Sequence, residues 1–191
     1  MGQRLNIEIL QNGNTLANAY YHWSGYTSSA LELTQTIIEN VDEIQHKDDV
    51  VRAIRLLETT GALLTEDEIK QMKYDGKLFR SAKSRNAGLI AISEKGMNET
   101  RRWEEARVEI NLDEETVSFD AIHLIDKETY LYWYGKADED YEKLPIKSYD
   151  YDFENISFSE FNQFASEILE DIRNENYAVR LLNGDVLGFI E

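Results

Sequence analysis

The chain has no cysteine and a single proline, Pro145, among its 191 residues. The first absence excludes disulfides, thiolate nucleophiles and sulfur-ligated zinc, and it inclines toward a reducing, cytoplasmic setting. The second leaves no proline-rich linker and few natural breaks in the sequence. No internal repeat is present. Hydrophobic runs are short, none approaching the roughly 18 apolar residues of a membrane span, and the N-terminus lacks the basic-then-apolar layout of a signal peptide. Met1-Gly2 is compatible with myristoylation, but Asn6 stands where that signal takes serine or threonine. A soluble protein without targeting or membrane contact is expected.

Catalytic signatures are also missing. There is no P-loop, GxGxxG or GxSxG, and the three histidines, His22, His46 and His123, have no metal-binding spacing. The run Asp138 to Glu142 lacks the glycine and ligand spacing of a calcium-binding EF-hand loop. No cofactor or metal is expected, and the reading leans away from an enzyme.

What is present is enough apolar material to fold. Hydrophobic residues make up 42% of the chain and aromatics 11%, too much for a disordered polymer despite a formal net charge of −17. The length suits a single domain over residues 1–191, burying about two-thirds of its unfolded surface. If the chain divides, it divides near 86–88, separating a hairpin plus helices (1–86) from a sheet plus C-terminal helix (88–191).

Leu5, Ile7 and Ile9 alternate with Asn6 and Glu8 ahead of Asn12-Gly13, the dipeptide of a type I′ turn, so Leu5 to Trp23 is expected to form a β-hairpin. A two-residue turn would pair Ile9 with Leu16, Ile7 with Asn18 and Leu5 with Tyr20, placing these six and His22 on the core face. Arg4, Glu8, Ala17, Ala19, Tyr21 and Trp23 would then face away. Ser29 and Glu32 read as a capping box for a helix of about 15 residues, Asp48 or Asp49 as the cap of a second helix ending near Gly61, and Thr65 with Glu68 as the start of a third. Beyond Gly88 the pattern returns to strands at Leu89–Ile92, Arg107–Asn111, Thr116–Ile125 and Tyr130–Tyr134. Ser157 with Glu160 opens a last helix with the stripe Phe161, Phe164, Ala165, Ile168, Leu169 and Ile172, and a hairpin around Asn183-Gly184 follows. Strands at both ends with helices between and no βαβ rhythm predict an α+β fold with a mostly antiparallel sheet.

Charge is unevenly distributed. Residues 1–40 hold one basic and three acidic residues, residues 41–110 thirteen and fourteen, and residues 111–191 six and twenty. Asp138, Glu139, Asp140, Glu142, Asp150, Asp152 and Glu154, interleaved with Tyr149 and Tyr151, form the candidate partner-binding segment. Such a surface repels nucleic acid, so no direct nucleic-acid binding is expected, and it attracts basic proteins, including those whose grooves hold phosphates. The bland alternative is a solvated face that only confers solubility. The basic stretch Lys70, Lys73, Lys77, Arg80, Lys83 and Arg85 reads either as an anion site or as a counter-charge to the acidic half, within the chain or across a homodimer.

One other cluster could carry chemistry. The segment Tyr20 to Ser29 joins a strand to a helix and is dense in hydroxyls and aromatics; with Arg4 and Asn18, residues His22 and Ser24 could line a small hydrolase or nucleotide-processing site. The alternative is that these side chains pack and cap.

The opening, Asn12-Gly13 followed by Ala-Asn-Ala-Tyr-Tyr-His-Trp-Ser-Gly-Tyr-Thr-Ser-Ser, resembles that of small uncharacterised proteins carried by phages and mobile elements of Gram-positive bacteria, over about the first fifth of the chain. The resemblance implies a phage protein in the host cytosol. By analogy it also implies an inhibitor of a host nucleic-acid-binding protein or defence nuclease, a nucleic-acid mimic of the anti-restriction or anti-CRISPR type.

Overall fold

A computed structural model describes residues 4–22, 24–25, 27–45, 48–75, 79–80, 87–102, 104–120, 146–149, 154–175, 178–181 and 186–188. The expected strand at Tyr130–Tyr134, the end of the hairpin beyond Asp120 and the turn at Asn183-Gly184 lie outside these residues.

The N-terminal hairpin is present as β1 (Leu5–Gln11) and β2 (Asn14–Tyr21), with Asn12 and Gly13 both at positive φ as a type I′ turn requires. Its register differs from expectation. Leu10 pairs with Thr15, as the tight turn dictates, but Ile9 then pairs with Ala17, Ile7 with Ala19 and Leu5 with Tyr21. A bulge therefore inserts Leu16, and every later β2 side chain changes face. Ala17, Ala19 and Tyr21 join Leu5, Ile7 and Ile9 in the core, whereas Asn18 and Tyr20 lie with Asn6 and Glu8 on the opposite face. Without the bulge Asn18 would enter an apolar core, where an unpaired amide costs about 1–3 kcal/mol.

Helix α1 (Thr27–Glu39) begins two residues before the expected Ser29 cap, so Ser29 lies within its first turn, and the helix ends at Glu39 rather than near Ile44. Val41 and Ile44 still pack on the core from the following turns. Helix α2 (Asp49–Glu58) is capped by Asp48, whose side chain accepts from Val51 N at 3.1 Å, and the chain turns at Gly61, φ 93°. Helix α3 (Glu66–Asp75) carries the complete capping box: Glu68 N donates to Thr65 Oγ1 at 3.3 Å and Thr65 N to Glu68 Oε2 at 2.7 Å.

The strands β3 (Phe79–Arg80) and β4 (Ala87–Ala91) lead to a fourth helix the sequence pattern did not suggest, α4 (Glu94–Arg101), with Ser93 as its cap. Then come β5 (Ala106–Asn111), β6 (Thr116–Asp120), β7 (Ile146–Tyr149), β8 (Ile156–Ser157), α5 (Phe158–Glu175), β9 (Ala178–Leu181) and β10 (Val186–Gly188). The Ser157/Glu160 capping box forms as expected, with Glu160 N on Ser157 Oγ at 3.2 Å and Ser157 N on Glu160 Oε2 at 3.1 Å.

The fold is mixed α+β. One sheet has the order β3-β4-β2-β1-β5-β6-β8 and a smaller one β10-β9-β7. The sheets are mixed rather than purely antiparallel, because β1 runs parallel to β5 and β7 parallel to β9. Strands β2 and β1 lie between β4 and β5, so strands from either side of residues 86–88 alternate within one sheet.

One face of the large sheet is apolar. Leu5, Ile7, Ile9, Ala17, Ala19, Tyr21, Ile90, Val108, Ile110, Val117 and Phe119 form a single buried cluster with side chains of α1, α2, α3 and α5. Phe119 meets Phe161 and Phe164 of α5 in tilted and edge-on contacts, with ring centroids 5.5 and 6.3 Å apart. No helix among the described residues is long and apolar enough to cross a membrane.

Candidate functional site

The other face of the sheet is polar, and α4 covers part of it. The parallel register sets Asn6 beside Arg107 and Glu8 beside Glu109, while the hairpin sets Asn18 beside Glu8 and Tyr20 beside Asn6. A row Asn18–Glu8–Glu109–Ser118 thus crosses four strands on one face. Helix α4 fits against the end of this row. Gly96 permits the approach, since a Cβ there would lie 3.0 Å from Ala91 Cβ.

Glu8 is the centre of the arrangement and is 0% exposed. Arg101 of α4 grips its carboxylate side-on, Nε to Oε1 at 2.5 Å and Nη2 to Oε2 at 2.7 Å, the geometry only arginine supplies. Arg107 Nη2 reaches Oε2 at 3.2 Å and also pairs with Glu109. Asn18 Nδ2 donates to Oε1 at 3.3 Å, and Thr15 Oγ1 to Oε2 at 3.4 Å. The network extends through Thr100, whose hydroxyl donates to Asn18 Oδ1 at 2.6 Å. Asn6 Nδ2 in turn donates to Glu104 Oε2 at 2.8 Å and to the Thr100 carbonyl at 3.3 Å. Burial pushes the Glu8 carboxyl up, but the hydrogen bond from Arg101 and the charges of Arg107 and Arg101 outweigh it, so the group sits below the ordinary glutamate range. Arg101 is correspondingly raised, by its hydrogen bond to Glu8.

A buried carboxylate held by two guanidinium groups contributes little net stability against an apolar packing of equal volume, yet removing one partner costs several kcal/mol. The network therefore fixes position more than it adds stability. Among the described residues, two of its polar atoms, Asn6 Oδ1 and Arg107 Nε, are buried without a hydrogen-bond partner.

The four residues proposed for a hydrolytic site are only partly assembled. Arg4 lies beside Tyr20, whose hydroxyl is 2.7 Å from His22 Nδ1. Burial is the main cause that raises the Tyr20 hydroxyl above its ordinary range, with Arg4 opposing and Glu105 adding to it. Asn18, expected in the core opposite Ile7, instead has both ends of its amide engaged by Glu8 and Thr100. Ser24 is buried while His22 is exposed, so the pair does not share an accessible surface. Tyr21 is buried too, with its hydroxyl paired to Thr60 and raised by burial above the ordinary tyrosine range.

Of the candidate partner-binding residues, Glu154 is exposed and Tyr149 lies in β7. Asp138, Glu139, Asp140, Glu142, Asp150, Tyr151 and Asp152 lie outside the described residues. In the basic stretch, Lys73 pairs with Asp48 at the start of α2, and Lys70 lies 3.6 Å from Asp67. These two serve as local counter-charges, whereas Lys77, Lys83 and Arg85 lie outside the described residues.

Acidic side chains also stand on two packed helices. Helices α1 and α5 pack side by side, with Gln35 Nε2 donating to Ser166 Oγ at 3.0 Å and to the Asn162 carbonyl at 3.2 Å. Glu32 and Glu39 are exposed on α1 and Glu160, Glu167 and Glu170 on α5, and neither α1 nor residues 158–170 contain a lysine or arginine. Among the described residues no group of three or more histidine, aspartate or glutamate side chains is placed to hold a metal ion. No protein-family model matches the chain, and neither a curated protein nor a solved structure is significantly similar to it.

Proposed function

We propose that this chain is a non-catalytic binding protein that engages the positively charged surface of a nucleic-acid-binding protein, a nuclease being the case its charge suits best. The observation that carries the reading is the segregation of charge, with twenty acidic against six basic residues in residues 111–191. Helices α1 and α5 support it, because Glu32, Glu39, Glu160, Glu167 and Glu170 are exposed on two adjoining helices. Spaced carboxylates approximate the charge density that lysine and arginine clusters read along a phosphate backbone, and like charge keeps the protein itself off nucleic acid.

Such an association weakens steeply with salt and competes with duplex DNA for the same partner surface. Replacing Asp138, Asp140, Asp150 and Asp152 by lysine lowers affinity for a purified partner more than tenfold at low salt. Adding Glu160→Lys, Glu167→Lys and Glu170→Lys lowers it further. Affinity unchanged by both sets overturns the reading.

A further inference from the structure

We propose that α4 is a charge-held clasp on the polar face of the sheet, which lifts away from Glu8 while the rest of the fold stays closed. The contrast with the other helices carries the inference. Helices α1, α2 and α5 each bury several large apolar side chains in the main cluster, including Leu31 and Ile37, Ile54 and Leu57, and Phe161, Phe164 and Ile168. In α4 the buried residues are Gly96, Met97 and Thr100, and Met97 and the adjoining Ala91 stand apart from that cluster. Its other attachments named among the described residues are polar: the Arg101 fork on Glu8, the Thr100 hydroxyl on Asn18 and the Thr100 carbonyl accepting from Asn6. Units with few buried apolar contacts open locally, below the free energy of global unfolding.

Glu8 remains partly neutralised when the clasp lifts. Arg107 stays with it from β5, Thr15 and Asn18 from β2 keep their hydrogen bonds, and Glu109 remains paired to Arg107. The carboxylate loses its strongest partner but not its only one. Opening uncovers Glu8, Asn6 and Asn18, an acceptor-rich bed that is buried when α4 is seated.

Amide hydrogen exchange of the intact protein tests this directly. Met97 N, bonded to the Ser93 carbonyl at 2.8 Å, and the α4 amides after it report the helix, and those of β1 and β5 report the sheet. The expected result is exchange at least tenfold faster in α4 than in β1 and β5. Arg101→Gln, at a partly exposed side chain, accelerates α4 exchange by a further tenfold or more and that of β1, β5 and α5 by no larger a factor, so that α4 remains the first element to exchange, while Arg101→Lys, which keeps the charge but not the fork, gives an intermediate value. Equal protection of α4 and the sheet in the unaltered protein, or exchange of α4 that Arg101→Gln leaves unaccelerated, overturns the proposal.

Discussion

The two faces of the large sheet are built from the same strands and held by different forces. On one, Leu5, Ile7, Ile9 and their β2, β5 and β6 neighbours meet the four helices α1, α2, α3 and α5 through apolar contact. On the other, Asn6, Glu8 and Asn18 meet one eight-residue helix through a carboxylate, the Arg101 guanidinium and amides, with Arg107 of β5 completing the network. Burial of each large apolar side chain on the first face is worth about 1.5–3 kcal/mol and tolerates small displacements. The second face gains little net free energy and demands geometry, because a misplaced partner leaves a buried charge exposed to an apolar surround. Stability therefore resides on the first face and positional precision on the second.

The largest loss is expected from Phe161→Ala, which empties the aromatic contact with Phe119 and Phe164 and lowers the unfolding free energy by about 3–5 kcal/mol in urea denaturation. Glu8→Gln follows at roughly 2–3 kcal/mol, below the range for a fully enclosed pair because Arg101 and Arg107 are 30% and 38% exposed. Replacing the network as a whole, with Glu8→Leu, Arg101→Met and Arg107→Leu together, costs less than Glu8→Gln alone. A triple variant less stable than the single one would break the distinction between the faces.

The pH dependence follows in sign from the lowered Glu8 carboxyl. Its contribution is fully present above the ordinary glutamate pKa, about 4.3, and is lost as pH falls through the lower folded value. The stability gap between the unaltered protein and Glu8→Gln is thus constant near neutrality and narrows below about pH 4. The smallest effect, about 1 kcal/mol, is expected for Ser157→Ala, which removes the cap of α5 without touching either face.

What could be read from the sequence was local. The type I′ turn at Asn12-Gly13, the Asp48 cap, the capping boxes at Thr65/Glu68 and Ser157/Glu160 and the apolar stripe of α5 from Phe161 to Leu169 depend on residues a few positions apart, and each is present. Apart from the local Ser29/Glu32 cap, which α1 overruns by starting at Thr27, what failed depended on distant partners. The bulge at Leu16 is invisible to a count from the turn, since what favours it is Glu8 and Thr100 awaiting Asn18 on the far face. Helix α4 has Gly96 in its interior and one buried apolar side chain, Met97, so its own periodicity is weak; Ser93 was the available signal. Glu8 looked like an ordinary outward-facing strand residue, and only α4 and the parallel pairing with β5 make it a buried centre. The polar alternation of Asn6, Glu8, Arg107 and Glu109 was the legible hint of that face.

The claim that charge segregation serves binding is tested most directly by affinity capture from a cell lysate, using the unaltered chain beside one carrying lysine at positions 138, 140, 150 and 152. The account predicts that the unaltered chain retains nucleic-acid-binding proteins, that salt and duplex DNA release them, and that the lysine variant retains at least tenfold less. Equal retention by both chains, or retention indifferent to salt and DNA, would contradict it.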